Sequence, residues 1–136
     1  MNNFTVDSEN SFMNWNNKIP GISFNLECGR IIIFKNTLTA LGFPEFYRFL
    51  YNPDSLQLAI EACNIDSPGA QALKYIKPDE TYNIKSIDFV RMLYVHCGWK
   101  RTMTYRVHGI PYVNQHLVDF KLSNALEIFE GKVKPF

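Results

Sequence analysis

Cysteine is scarce in this 136-residue chain: three occur, at 28, 63 and 97, an odd number and far apart, with no Cys-x-x-Cys. That spacing argues against a secreted disulfide framework and for reduced, packed thiols. Charge of one sign is also lacking. The net charge is +1, so no global field recruits nucleic acid or an anionic lipid surface. No apolar run reaches the ~18–20 residues of a membrane-spanning helix, so no membrane partner is expected. Neither a Gly-x-Ser-x-Gly elbow nor a glycine-rich phosphate loop is present. Residues 1–17 have no basic start and no long apolar stretch, which is unlike a signal peptide. Together these absences lead to the expectation of a cytoplasmic, non-enzymatic protein without metal or cofactor.

Aromatic residues are plentiful. The chain is 46% hydrophobic and 15% aromatic, with 11 Phe and 7 Tyr, a composition that favours strands and a packed core. Its length fits one domain. Residues 1–20 read as an N-terminal arm, rich in asparagine but carrying Phe4, Phe12, Met13 and Trp15. The arm is expected to dock in part, with exchange in a homodimer as the alternative. Residues 21–130 read as the globular domain and 131–136 as a tail. The halves differ in charge: residues 1–63 hold four Lys/Arg against six Asp/Glu, residues 64–136 ten against seven. An anionic partner is therefore sought in the second half.

Alternation over Ile22–Glu27 predicts a half-buried strand. Arg30–Phe34, rich in β-branching, predicts a strand covered on both faces. Asn36 is a candidate N-cap for a short helix over 37–41 that Gly42 ends, and Pro44 forbids its continuation. Phe46–Tyr51 and Leu56–Ala62 flank the turn Asn52-Pro53-Asp54-Ser55, a hairpin. Asn64–Gly69 is punctuation at the midpoint. The order then begins again: a strand over 70–76, a turn over 77–80, a strand over 82–85, and a helix from the Ser86 cap to Cys97, ended by Gly98. A strand over 102–108 follows, then a turn beginning at Gly109-Ile110-Pro111-Tyr112, a strand over 117–122, and a short segment over 124–129 capped by Ser123. The expected fold is thus α+β, a small β-barrel or two-layer sheet built from two strand-strand-helix-strand-strand units, residues 22–63 and 70–122.

The stretch Gly29-Arg30-Ile31-Ile32-Ile33-Phe34, Leu38-Thr39-Ala40-Leu41-Gly42, Tyr47-Arg48-Phe49-Leu50-Tyr51 and Leu56-Gln57-Leu58-Ala59-Ile60 resembles the swapped-hairpin element of AbrB-type transition-state regulators. It is also similar to short bacterial and phage-borne proteins with a Leu-Gly-x-Pro step before a hairpin, here Leu41-Gly42-Phe43-Pro44. The resemblance covers residues 22–63, and the rest by order of elements. It implies a barrel from two such elements and DNA binding in transcription regulation. Two family positions differ: the Pro-x-x-x-Arg at the helix start is Lys35-Asn36-Thr37-Leu38 here, and the Gly-Asp pair before the hairpin is Pro44-Glu45.

The most distinctive polar cluster is Trp99-Lys100-Arg101-Thr102-Met103-Thr104-Tyr105-Arg106-Val107-His108. Read as a strand, it places Thr102, Thr104, Arg106 and His108 on one face. Cations beside aromatics suit phosphate contact and base stacking. An ordinary solvated face, with Lys and Arg blunting an edge, accounts for the same pattern. The candidate nucleic-acid-binding residues are Lys100, Arg101 and Arg106, with Arg30, Lys35 and Arg48. Other constellations are poorer. His96 and Cys97 are adjacent on a helix and point about 100° apart, which does not suit one metal. His108 and His116 flank the second hairpin without a third ligand. Cys63 with His108, and Glu61 with Asp119, are pairs that only the fold could bring together. A nucleic-acid-binding regulator is therefore expected, with DNA as partner. The alternative is an accessory or inhibitor factor of a bacterium or phage that binds a host protein, favoured by near-neutral charge and abundant aromatics.

Overall fold

The computed structural model describes residues 19–74 and 81–128. It is an α+β fold: one strongly curled antiparallel sheet, a half-barrel of nine strands, with two helices. The strands are β1 (Gly21–Asn25), β2 (Arg30–Ile33), β3 (Phe46–Asn52), β4 (Gln57–Cys63), β5 (Gln71–Ala72), β6 (Tyr82–Lys85), β7 (Thr104–Tyr112), β8 (Leu117–Lys121) and β9 (Leu126–Ile128). Helix α1 (Lys35–Leu41) joins β2 to β3, and α2 (Ile87–Cys97) joins β6 to β7. The strand order is β5-β3-β4-β8-β7-β1-β2-β6, with β9 beside β7.

Inward-facing residues supply the core. Ile22, Phe24, Ile31, Leu58, Ile60, Val107, Val118 and Phe120 alternate along their strands and are fully buried. Each large apolar side chain so buried contributes roughly 1.5–3 kcal/mol. Helix α2 adds Val90, Leu93 and Tyr94. The Tyr94 hydroxyl is shared between the carbonyls of Phe24 and Met103. Trp99 stacks on Tyr105 at 4.5 Å, closing the core beneath the end of α2.

The pairings repeat across the two halves. Exchanging each of β1–β4 with the strand four places later maps β3–β4 onto β7–β8 and β5–β3 onto β1–β7, and leaves β4–β8 and β2–β6 unchanged. One pairing lacks its counterpart: β1 pairs β2, but no backbone ladder joins β5 to β6 among the described residues. A side chain spans that gap. The Tyr82 hydroxyl lies 3.4 Å from both the Ala72 carbonyl and the Lys74 amide, and its ring meets Tyr47 edge-on. Burial, then the neighbouring Tyr82, raises the Tyr47 pKa far above the usual tyrosine value.

Local detail repeats too. Each helix ends on a left-handed glycine, Gly42 or Gly98, and the next amide, of Phe43 or Trp99, donates back to the carbonyl five residues earlier. Each hairpin turns over four residues between paired positions, Asn52 with Gln57 and Tyr112 with Leu117. The fourth loop residue is left-handed in both, Leu56 at φ 53° and His116 at φ 52°.

Several expectations are corrected. Strand β2 alternates, with Arg30 exposed and Ile32 half-buried, so it is not covered on both faces. Asn36 does not cap α1: the helix starts at Lys35 after Phe34, and the Asn36 amide donates to the Ile19 carbonyl. Thr37 instead ties α1 to the sheet, its buried hydroxyl bonding both the amide and carbonyl of Gly21. Ser86 precedes α2 without a side-chain cap bond. Strand β5 covers Gln71–Ala72 only, and the turn expected over 77–80 lies outside the described residues. Residues 122–124 form a 3-10 turn followed by β9, where a Ser123-capped segment was expected. Most of the N-terminal arm and the whole C-terminal tail also fall outside the described residues.

The largest correction concerns Gly109–Tyr112, which is strand and not turn. Gly109 is there for close approach: a Cβ would fall 2.6 Å from side-chain atoms of both Val118 and Phe120. Pro111 is tolerated because of direction. The Gly109 amide points away from β8 and donates to the Pro20 carbonyl. The Pro111 nitrogen, two residues on, points the same way, beyond the last pair of β1, Gly21 with His108. Reversal is delayed to Val113–His116. The Gly109→Ala variant is expected to lose about 1–3 kcal/mol from overpacking, read as a lower urea midpoint. A loss below measurement error would contradict the strand assignment.

Candidate nucleic-acid interface

Strands β9, β7, β1, β2 and β6 lie side by side, and the residues of one face form cross-strand rows in which Ser23 and Thr104 are buried. One row runs Leu126, Arg106, Ser23, Ile32, Asn83; the next runs Ile128, Thr104, Asn25, Arg30, Lys85. Arg30, Lys85, Arg106 and His108 are all exposed here. Strands β1, β2, β6 and β7 contain no Asp or Glu. The face is thus locally cationic on a molecule of nearly zero net charge.

At one corner of this face, between β2 and the edge strand β6, is a pair of like charges. Arg30 stands directly opposite Lys85. The Gly29 carbonyl accepts from the Ser86 amide one position earlier, so this pair occupies the narrow, non-hydrogen-bonded site, where side chains lie closest. Like charges so placed oppose folding by up to about 1 kcal/mol. Neither makes an ion pair among the described residues.

Arg106 is held from the side. Its guanidinium lies 4.9 Å from the centroid of the Phe34 ring, a cation–π contact. Phe34 can reach that position because Gly21 has no side chain: a Cβ there would come 2.8 Å from the ring. Lys35 follows Phe34, exposed, as the first residue of α1.

The other sequence candidates sit elsewhere. Strand β7 begins at Thr104, so Lys100 and Arg101 lie on the connection from α2 and not on the strand face. Lys100 stands 3.4 Å from Glu127. Arg48 is on β3, three places from β7 in the sheet order, and is already satisfied: its Nε donates to Glu61 at 2.9 Å and its Nη1 to the Pro68 carbonyl. Six candidates therefore resolve into Arg30 and Arg106 on one face, Lys35 at its margin, and three removed from it. Lys85 was missed. The alternation of Tyr82-Asn83-Ile84-Lys85 points it outward, but only the pairing sets it opposite Arg30.

The catalytic and metal candidates do not assemble. His116 lies in the loop while His108 is four residues before Tyr112 on the strand, so they do not face each other. Cys63 lines an open cleft with His116, not His108. Glu61 bonds Arg48, and Asp119 accepts from Gln57. Among the described residues no group of three or more His, Cys, Asp or Glu could hold a metal, and no helix is long and apolar enough to cross a membrane. His96 Nδ1 hydrogen-bonds the Tyr51 hydroxyl at 2.7 Å. Burial pushes the Cys97 thiol up to about 11. Alkylation of the native protein should therefore modify exposed Cys28 first, with Cys97 gaining reactivity only as the pH approaches about 11. Equal rates for the two thiols at pH 8 would contradict this environment.

No family model matches the chain, and neither a curated protein nor a solved structure matches it.

Proposed function

We propose that this protein is a non-enzymatic, nucleic-acid-binding regulator. In this reading two strand-strand-helix-strand-strand units, as in the AbrB-type resemblance, fold into one small barrel-like body. Arg30, Lys85 and Arg106 contact phosphate, with Lys35 and His108 at the margin. The observation that carries the proposal is the Arg30–Lys85 pair. It opposes folding, it lacks a carboxylate among its cross-strand neighbours, and an anionic partner would relieve it. Phosphate contact releases counterions, so binding should weaken steeply between about 50 and 200 mM salt. The double variant Arg30→Gln/Lys85→Gln should bind more weakly, with the log–log salt slope reduced by about 1 for each phosphate no longer neutralised. It should also be slightly more stable than the parent, because the like-charge repulsion is gone. Absence of binding to duplex or single-stranded DNA at low salt would remove the proposal.

A second reading, a protein-binding accessory or inhibitor factor, draws on the opposite part of the sheet. Leu50, Ala59, Asp119 and Ile110 form one outward row over β3, β4, β8 and β7, with Leu117 and Tyr112 in the next. Leu50, Ile110, Tyr112 and Val113 are 38–60% exposed, an apolar patch of the kind that marks protein contacts. A partner captured by the parent but not by Ile110→Asp would favour this reading. Retention of the same partner by that variant would exclude the patch.

A further inference from the structure

Beside the cationic face is a cavity of about 320 Å³, lined by Ile19, Gly21, Phe34, Asn36, Arg106 and His108. That is at the lower end of the ~300–1,000 Å³ typical of small-ligand pockets. Its composition is specific. One wall is an aromatic ring with a guanidinium resting on it, and an imidazole stands two residues along the same strand. The cation–π contact with Phe34 engages the guanidinium without using its N–H donors. Among the described residues, the Arg106 guanidinium makes no hydrogen bond or ion pair. Arg106 is exposed, so its five donors are available together.

We infer that this cavity seats one unpaired nucleotide, and that the nucleic acid bound is single-stranded. The inference rests on the proposed function and narrows it. A base stacks flat on the outer face of the Arg106 guanidinium, which is backed by Phe34; guanidinium planes and aromatic rings are the usual platforms for unstacked bases. The flanking phosphates meet the edge of the Arg106 fork and the Arg30–Lys85 pair. A duplex reaches the same cations with its backbone but cannot place a base in the cavity unless that base leaves the helix. Gly21 is part of the device, because any side chain there would displace the ring.

The test is fluorescence anisotropy with labelled 12-mers of thymidylate and uridylate and a 12-base-pair duplex, at low salt and across a salt series. Single strands should bind about tenfold or more tightly than duplex, and the two oligomers will tell whether DNA or RNA is preferred. Arg106→Lys keeps the charge and removes the plane. It should weaken single-strand binding about 5- to 150-fold, the equivalent of about 1–3 kcal/mol for one stacked base, with the salt slope unchanged. Phe34→Leu should act in the same direction. Arg106 is exposed, so its variant remains informative even where Phe34→Leu does not fold. Equal affinity for single strands and duplex, with Arg106→Lys binding like the parent, overturns the nucleotide seat and leaves the cationic face standing. Absence of binding to all three probes overturns both.

Discussion

The close passage of β8 across Gly109 is the constraint on which the sheet depends. Strand β7 has to remain one strand for nine residues, because its first half pairs with β1 and its second half with β8. A turn at Gly109 would sever those two sets of strands. With no Cβ at 109, Phe120 and Val118 fill the space over the β7 backbone, and the sheet can curl sharply enough to bury the inward rows. The delayed reversal at Val113–His116 then sets the register of β8, and through β8 that of β4 and β3.

That curl separates the outward surface into two parts of different chemistry. One carries Arg30, Lys85 and Arg106 with no carboxylate on their strands. The other carries Leu50, Ala59, Ile110 and Tyr112 around Asp119. Positive charge can thus gather on strands that carry no carboxylate although the chain as a whole is close to neutral.

Much of the fold was legible in the sequence where local chemistry and tertiary context agree. The hairpin across Asn52–Ser55 has strong turn chemistry between apolar strands, and the glycines at 42 and 98 end helices whose periodicity is clear. What was not legible are the places where tertiary context overrides the local signal. Gly109 and Pro111 read as a turn because neither the Val118–Phe120 contact nor the end of β1 is visible along the chain. Strand β9 is three residues long and exists because β7 offers it an edge. At the candidate site, alternation alone places Arg106 on the exposed side of β7, whereas nothing near Arg48 in the sequence announces its partner Glu61, thirteen residues away. Lys85 acquires meaning only when β6 lies against β2.

The matched hairpins have a consequence for how such a surface could arise. Their left-handed loop residues, Leu56 and His116, are sixty positions apart, and the same interval relates Arg48 to His108 and Glu61 to Lys121. In a symmetric pair of separate chains, a salt bridge at one copy would have to recur at the other. Two hairpins on one chain are released from that requirement. The first hairpin keeps Arg48 neutralised by Glu61, while the second has an imidazole and an ammonium at the corresponding places. Covalent linkage thus permits a lopsided charge distribution that a homodimer of identical halves could not hold.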